Sequence, residues 1–394
     1  MTRDMTREMP GIAGGVDFTA GSRSSVSYSG ELHNRAELRD SLTRLGHTFA
    51  TGDDVEVVRQ AYVEWGPDLV SRLDGVYAFA IWDSRARELV MVRDRLGVKP
   101  LYYYPTRDGV LFGTSPTAIL DDPSVPRVVD VDGLRGLVTS TRPPWRGMRS
   151  LGPGQIVTLS RAGARADTYW RAEPGPHNEV ELPAGRSGFS ADTAALADPA
   201  LRRKVVAAYD MPMGFGAPDL SLCLLLGSLP ARSTVVLPVL LADEVFGAAH
   251  CPPGDRLALM CPHLRGHLAG ADPGAPGFAR TTIERVDRIA TAAGLRVRLP
   301  YADHRLIPYI DNSPWARRVP TPDPRYNEEI QRQAKEVLAD RDHLAMSLID
   351  WDWLTDATAA DPATMPGAVT SGIDWILDLY HWVDMYDPTV ERPG

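Results

Sequence analysis

The sequence is poor in cysteine: three residues, an odd number at irregular spacing, do not make a disulfide framework. It lacks any apolar run approaching the length of a membrane span. The charged stretch from Met1 to Met9 has no apolar segment behind it, so no signal peptide is visible. Basic charge is in deficit, 42 Lys and Arg against 51 Asp and Glu, for a net charge of -9. That balance argues against nucleic acid and anionic membranes, both of which reward basic surfaces. No internal repeat is present either. These absences leave a cytoplasmic globular protein as the expectation. What is there fits it: 394 residues suffice for two domains with their own cores, and 44% hydrophobic and 24% charged residues are ordinary values.

Read along the chain, residues 26 to 171 form a β-rich stretch with two amphipathic helices. Val26 to Leu32 is a short strand leading to a helix that opens at Asn34, an N-cap residue type, with Leu38, Leu42 and Leu45 at helical spacing and Gly46 as its stop. Gly52-Asp53-Asp54 caps a second helix with Val55, Val58, Tyr62 and Trp65 on one face. Four strand-like runs follow, Val76 to Trp82, Glu88 to Arg93, Leu101 to Tyr104 and Val110 to Gly113, separated by Asp, Gly and Pro turn signals. The expected domains are 1–171 and 191–394, joined by a Pro- and Gly-rich linker over 172–190. Beyond the linker the pattern turns helical over 198–209, 220–229, 283–293, 326–338 and 373–386. One buried strand is predicted there, Thr234 to Leu241.

Several strings in this order carry a family likeness. Met9-Pro10-Gly11-Ile12-Ala13-Gly14, Tyr28-Ser29-Gly30-Glu31-Leu32-His33-Asn34 and Asp53-Asp54-Val55-Glu56 are followed by Arg72-Leu73-Asp74-Gly75-Val76-Tyr77-Ala78-Phe79 and Val92-Arg93-Asp94-Arg95-Leu96-Gly97-Val98-Lys99-Pro100-Leu101-Tyr102-Tyr103. The second half adds Ala242-Asp243-Glu244-Val245-Phe246-Gly247 and Asp287-Arg288 followed by the block from Gly294 to Leu306. Together they resemble the glutamine-hydrolysing asparagine synthetase B family, a class II glutamine amidotransferase domain followed by an ATP-pyrophosphatase-type synthetase domain. The resemblance implies an N-terminal-nucleophile-like αββα sandwich and then an abridged α/β domain, an α/β and α+β chain overall. The family reaction is ATP- and magnesium-dependent transfer of glutamine nitrogen to an aspartate-like carboxylate.

The departures from the family fall on its chemistry. Pro10 stands where the family has its nucleophilic cysteine, and proline has no side-chain nucleophile. The interval Val16 to Ser27 is too short for the segments that supply the arginine clamp for the glutamine carboxylate. Ser29 replaces an oxyanion-hole asparagine and cannot present an amide N–H. Gly30, Glu31 and Asp54 remain as a vestigial amino-acid pocket. In the second half no Ser-Gly-Gly-x-Asp-Ser pyrophosphate loop exists, and Pro238-Val239-Leu240-Leu241 replaces Ser-Gly-Glu-Gly. Asp243 and Glu244 are vestigial nucleotide and magnesium residues. Outside the family pattern, Cys251, Cys261, His263 and His267 are zinc-competent ligand types, and drift in a loop without a substrate is the blander reading of them.

The expectation is therefore an asparagine synthetase-like component or scaffold of a biosynthetic pathway, without amidotransferase activity and without a cofactor. ATP and magnesium enter only if the family activity survives. A repurposed ATP-independent enzyme such as a cyclase, and a working asparagine synthase, are the alternatives. The expected partners are a second copy or another protein, with a small-molecule substrate possible.

Overall fold

The computed structural model describes residues 12–19, 24–139, 142–171, 193–214, 216–228, 235–236, 253–268, 278–298 and 323–391. The chain divides into two compact units. One holds the described residues up to Val125 and from Gly147 to 171; the other holds Pro126–Arg146 and the described residues from 193 onward.

The first unit is built on a period of two. Its strands are β1 (Ala13–Asp17), β2 (Ser25–Leu32), β3 (Gly75–Asp83), β4 (Glu88–Arg93), β5 (Tyr102–Pro105) and β6 (Gly109–Gly113). After the Pro126–Arg146 excursion, which carries β7 (Val128–Val129), come β8 (Arg149–Ser150), β9 (Gln155–Ser160) and β10 (Gly163–Thr168). They form a five-stranded sheet, β10-β9-β4-β3-β2, and a four-stranded sheet, β1-β6-β5-β8, with every pairing antiparallel. Alternation sends Tyr77, Phe79, Ile81, Val90 and Val92 to one face of the larger sheet. There they pack with Leu38 and Leu42 of α1 (Arg35–Arg44) and Val57, Val58 and Ala61 of α2 (Asp54–Trp65). Ala78, Ala80, Trp82, Leu89 and Met91 go to the other face, against Tyr103, Val110 and Phe112 of the smaller sheet. A short helix, α3 (Pro116–Leu120), lies against β5 and β6. Helix, sheet, sheet and helix make the expected αββα sandwich.

Local chemistry corrects two expectations. Asn34 stands at the N-cap of α1 without capping it; its amide donates to Arg72 O at 2.8 Å and accepts from Asp74 N at 3.0 Å, fastening the approach to β3. The buried face of α2 runs through Val57, Val58 and Ala61, while Val55 is 37% exposed. The cause lies at the cap: Asp53 accepts from Glu56 N, and Glu56 turns inward to accept from Ala50 N, Thr51 N and the Thr51 hydroxyl.

The second unit is helical. Its helices are α4 (Val131–Thr139), α5 (Thr193–Leu196), α6 (Pro199–Tyr209), α7 (Ala217–Ser228), α8 (Pro253–Leu259), α9 (Pro262–Leu268), α10 (Phe278–Ala292), α11 (Pro324–Ala339), α12 (Trp351–Ala359) and α13 (Gly367–Tyr386). The five predicted helices are present within a few residues of their expected bounds. Four-residue and shorter signals had hidden α5, and α4, α8, α9 and α12 are additions. Of the strand predicted over Thr234 to Leu241, Val235–Val236 is described as β11, parallel to β12 (Arg296–Val297). β13 (Thr389–Val390) pairs in parallel with β7. The long helix α13 is the core, with Ile373, Trp375, Ile376, Leu377, Leu379 and Trp382 at most 1% exposed. Leu220 of α7 is buried within the chain itself.

Candidate functional site

The sequence pointed to β2 and the start of α2, and there the structure puts backbone geometry first. Gly30 has φ +128°, and a Cβ on it would sit 2.0 Å from Val76 O; Gly75, on the neighbouring strand at φ +151°, would place a Cβ 2.3 Å from Glu31 O. Only glycine fits two such approaches. The Asp53 cap sets Asp54 in the first turn of α2, where its Oδ2 accepts from Leu32 N at 2.8 Å and from the Tyr28 hydroxyl at 3.3 Å. Arg35 Nη1 stands 3.4 Å from Oδ1. Burial first, and the Asp54 carboxylate second, push the Tyr28 phenol above its ordinary pKa, so it remains a neutral donor to Asp54. Strand alternation sets Ser29 and Glu31 on the face opposite Tyr28 and Leu32. Asp54 thus ties an edge strand to a helix on the Tyr28 and Leu32 side, and Glu31 belongs to the other face. Pro10 lies outside the described residues.

The longest matching string, Val92 to Tyr103, also proves architectural. Arg93, 6% exposed, donates to Lys99 O at 2.9 Å, Leu151 O at 2.7 Å and Gly97 O at 2.6 Å. Asp94, 1% exposed, accepts from Leu96 N, Val98 N and Lys99 N at 3.0 to 3.1 Å. Burial raises its pKa despite those donors. Gly97 has φ +68°, and a Cβ there would meet Pro153 at 2.4 Å. An arginine that collects carbonyls and a carboxylate that collects amides fold one turn from both sides.

In the second unit, the segment Arg285-Val286-Asp287-Arg288 lies on α10 and turns inward. Arg285 Nε donates to Asp219 Oδ1 of α7 at 3.0 Å, with an additional ion pair through Nη2, and the Tyr209 hydroxyl donates to Asp219 Oδ2 at 2.9 Å. Arg288 donates to Glu284 Oε1 through Nε and Nη2 at 3.0 and 2.7 Å, and through Nη1 to Tyr209 O at 3.1 Å. Arg285 and Arg288 are 2% and 8% exposed. Asp243 and Glu244 lie outside the described residues.

A second buried ion network was not foreseen. Arg202 of α6 donates to Asp374 Oδ1 at 2.6 Å and to Asp378 Oδ1 at 2.7 Å, and the Tyr326 hydroxyl donates to the same Asp374 oxygen at 2.7 Å. Gly214 N donates to Asp378 Oδ2 at 2.8 Å, and Gly216, at φ +57°, passes so near that a Cβ would lie 2.0 Å from Asp374 Oδ2. Burial opposes the Arg202 charge, but Asp374, Tyr326 and Asp378 outweigh it and hold the guanidinium protonated. A signal existed: two aspartates four apart inside the apolar run Ile373 to Leu379 demand a cation.

Of the zinc-competent residues, the structure brings together two. His263 and His267 share α9 with ring centroids 5.4 Å apart. Cys261 is a half-buried free thiol just ahead of the helix, and Cys251 lies outside the described residues. No group of three His, Cys, Asp or Glu side chains suited to a metal occurs among the described residues, which do not include Cys251. Cys223 is buried, its thiol pushed up to about 11 by that burial, and it is inert as a nucleophile. No described helix is long and apolar enough to cross a membrane.

Two family matches lie along the chain in order: a glutamine amidotransferase domain over residues 18–170 and asparagine synthase over residues 276–365. The glutamine-hydrolysing asparagine synthetase 3 of Bacillus subtilis is 37% identical over 165 residues, 40% of this chain and 27% of that protein. The glutamine-hydrolysing asparagine synthetase of Sandersonia aurantiaca is 41% identical over 97 residues, 25% of this chain and 18% of that one. The matched stretch is thus under a third of either relative's length. Among solved structures, the glutamine phosphoribosylpyrophosphate amidotransferase of B. subtilis, complexed with ADP and GMP, aligns over 54% of this chain and 40% of its own. Its identity is 17% and its TM-score 0.29, too low to bear on function.

Proposed function

We propose, from the premise that the chain belongs to the asparagine synthetase family, that it is a non-amidotransferase member acting as a pathway component or scaffold. The observation that carries the reading is the inward turn of Arg285 and Arg288. Phosphate recognition needs donors that face the ligand. These two guanidiniums are spent on Asp219, Glu284 and the Tyr209 carbonyl instead. Binding a nucleotide through them would expose the buried Asp219 carboxylate, a costly exchange. The described donor set does not fit ATP. The missing Ser-Gly-Gly-x-Asp-Ser string and the apolar Pro238 to Leu241 stretch support the same conclusion from the sequence.

On the glutaminase side, Pro10 and Ser29 supply neither a nucleophile nor an amide donor for an oxyanion. Asp54 is engaged with Leu32 N and Tyr28, so its role is to keep the sandwich edge in register. Purified chain assayed for ATP–pyrophosphate exchange and for ammonia release from glutamine tests the reading. Exchange above a no-enzyme control refutes it. Co-purification from the native host with another protein or a second copy is the expected positive result.

A further inference from the structure

We propose that His263 and His267 form a two-nitrogen chelate for one late first-row divalent transition ion, with copper(II) the tightest. The pair lies in the second unit and outside every segment matched to the family's chemistry. Its geometry comes from the helix. Pro262 fixes the first residue of α9, and Leu264 and Leu268 are buried, which orients the helix about its axis. The adjacent stripe then carries His263, exposed, and His267, half-buried, four residues apart on one face.

The separation of the rings fits a shared ion. Metal–nitrogen bonds of about 2.0 to 2.1 Å put two cis imidazole centroids about 4.5 Å apart on a square-planar ion and about 5 Å apart on a tetrahedral one. The observed distance is 5.4 Å. Residues four apart on a helix stand at about this spacing, so small side-chain rotations bring both rings to one ion. Neither imidazole has a hydrogen-bond partner among the described residues, so binding an ion breaks no existing bond.

The electrostatics around the pair permit a cation. Arg265, between the two histidines in sequence, is ion-paired with Asp350 and bonded to Met260 O. Arg135 reaches the His267 carbonyl at 2.9 Å, and Asp132, 2.8 Å from it, offsets its charge. With no third protein ligand among the described residues, water or an outside donor completes the coordination. Nitrogen-only donation excludes magnesium and calcium, and the stability order of the divalent ions selects copper over nickel and zinc.

The test uses the full chain without an affinity tag. Copper(II) is titrated calorimetrically in a non-coordinating buffer, and the one-to-one complex is examined by electron paramagnetic resonance. The expected results are one tight step per chain and superhyperfine splitting from two nitrogens. Loss of a direct ligand costs at least what loss of an outer-shell partner does, so His263→Ala and His267→Gln each weaken the step about tenfold or more. The double variant abolishes it, and His33→Ala, at an exposed position in the other unit, leaves it unchanged. Because the chain has nine histidines, the variants decide the assignment. An unchanged tight step in the double variant, with an unchanged circular dichroism melt, overturns it, as does the absence of a tight step in the parent chain.

Discussion

Replacing Arg285 by methionine separates a structural arginine from one that waits for phosphate. The side chain is 2% exposed and meets Asp219, itself 1% exposed, whose second oxygen accepts from the Tyr209 hydroxyl. Methionine keeps much of the volume and removes the charge and both N–H contacts. A buried carboxylate is then left with one neutral donor, and breaking one side of a buried pair costs about 3 to 5 kcal/mol. The partner change, Asp219→Asn, strands the guanidinium and costs a similar amount. If the two groups serve each other, the paired variant Arg285→Met with Asp219→Leu is far less destabilised than the sum of the singles. The residual penalty is then the hydrogen bond that the Tyr209 hydroxyl loses with Asp219, about 1 kcal/mol and at most about 3. Urea denaturation of the parent, Arg285→Met, Asp219→Leu and the paired variant completes the cycle, and a coupling of at least about 3 kcal/mol is expected, the upper end for contacting residues. A loss below about 1 kcal/mol for Arg285→Met, or additive single losses, would place the arginine at a solvated or ligand-facing site. That outcome removes the main support for the proposed function.

Three further outcomes follow from the same contacts. Gly30→Ala forces a side chain into φ +128° and against Val76 O, and should cost at least about 3 kcal/mol in a thermal or urea melt; a near-neutral effect would mean the β2–β3 approach is looser than drawn. His381 has a buried Nδ1 without a partner, and burial, then Arg202 and Arg203, lower its pKa to about 4. Between pH 6.5 and 4 the unfolded chain therefore binds more protons, so stability present above pH 6.5 is lost on acidification, with a ceiling of about 3 kcal/mol that His381→Leu removes. Removing residues 1 to 9 and changing Pro10→Cys should not restore glutaminase activity, because the arginine clamp is still missing; ammonia release above a blank by that variant would show that a clamp exists elsewhere.

The sandwich was legible because each of its strands faces two different layers. The run Val76 to Trp82 can satisfy a helical layer and a second sheet only by alternating, so its period reveals the strand and both of its partners. The helices α1 and α2 were legible for the complementary reason. Their ends were harder to read, since Asn34 has the right chemistry for a cap and spends it on Arg72 and Asp74, residues distant in sequence. Val55 misled because an apolar residue at helical spacing carries no label for which of two adjacent stripes turns inward; the Asp53–Glu56 cap decides that. In the second unit, the Arg202 network joins α6, α11 and α13, so no local window contains it. Only the aspartates inside α13 hint at it. The pairing of His263 with His267 was legible in their four-residue spacing, since α9 sets both on one face.

The strongest sequence matches and the chemistry of a family need not coincide, and this chain shows a physical cause. Arg93, Asp94 and Gly97 hold one turn through three carbonyls, three amides and a positive φ. A change at any of them leaves a buried polar group or a clash, at a cost that is a large fraction of the net stability of a domain. A residue that only contacts a ligand has the opposite status, because its replacement breaks no structural bond. Fold-holding motifs therefore outlast catalytic ones when a chain is released from its original reaction. Asp54 connects the two classes. Named as a pocket residue by the family resemblance, it is held by Leu32 N and Tyr28, and those bonds are sufficient reason for it to remain. A retained pocket residue is evidence for activity only after its structural bonds have been counted.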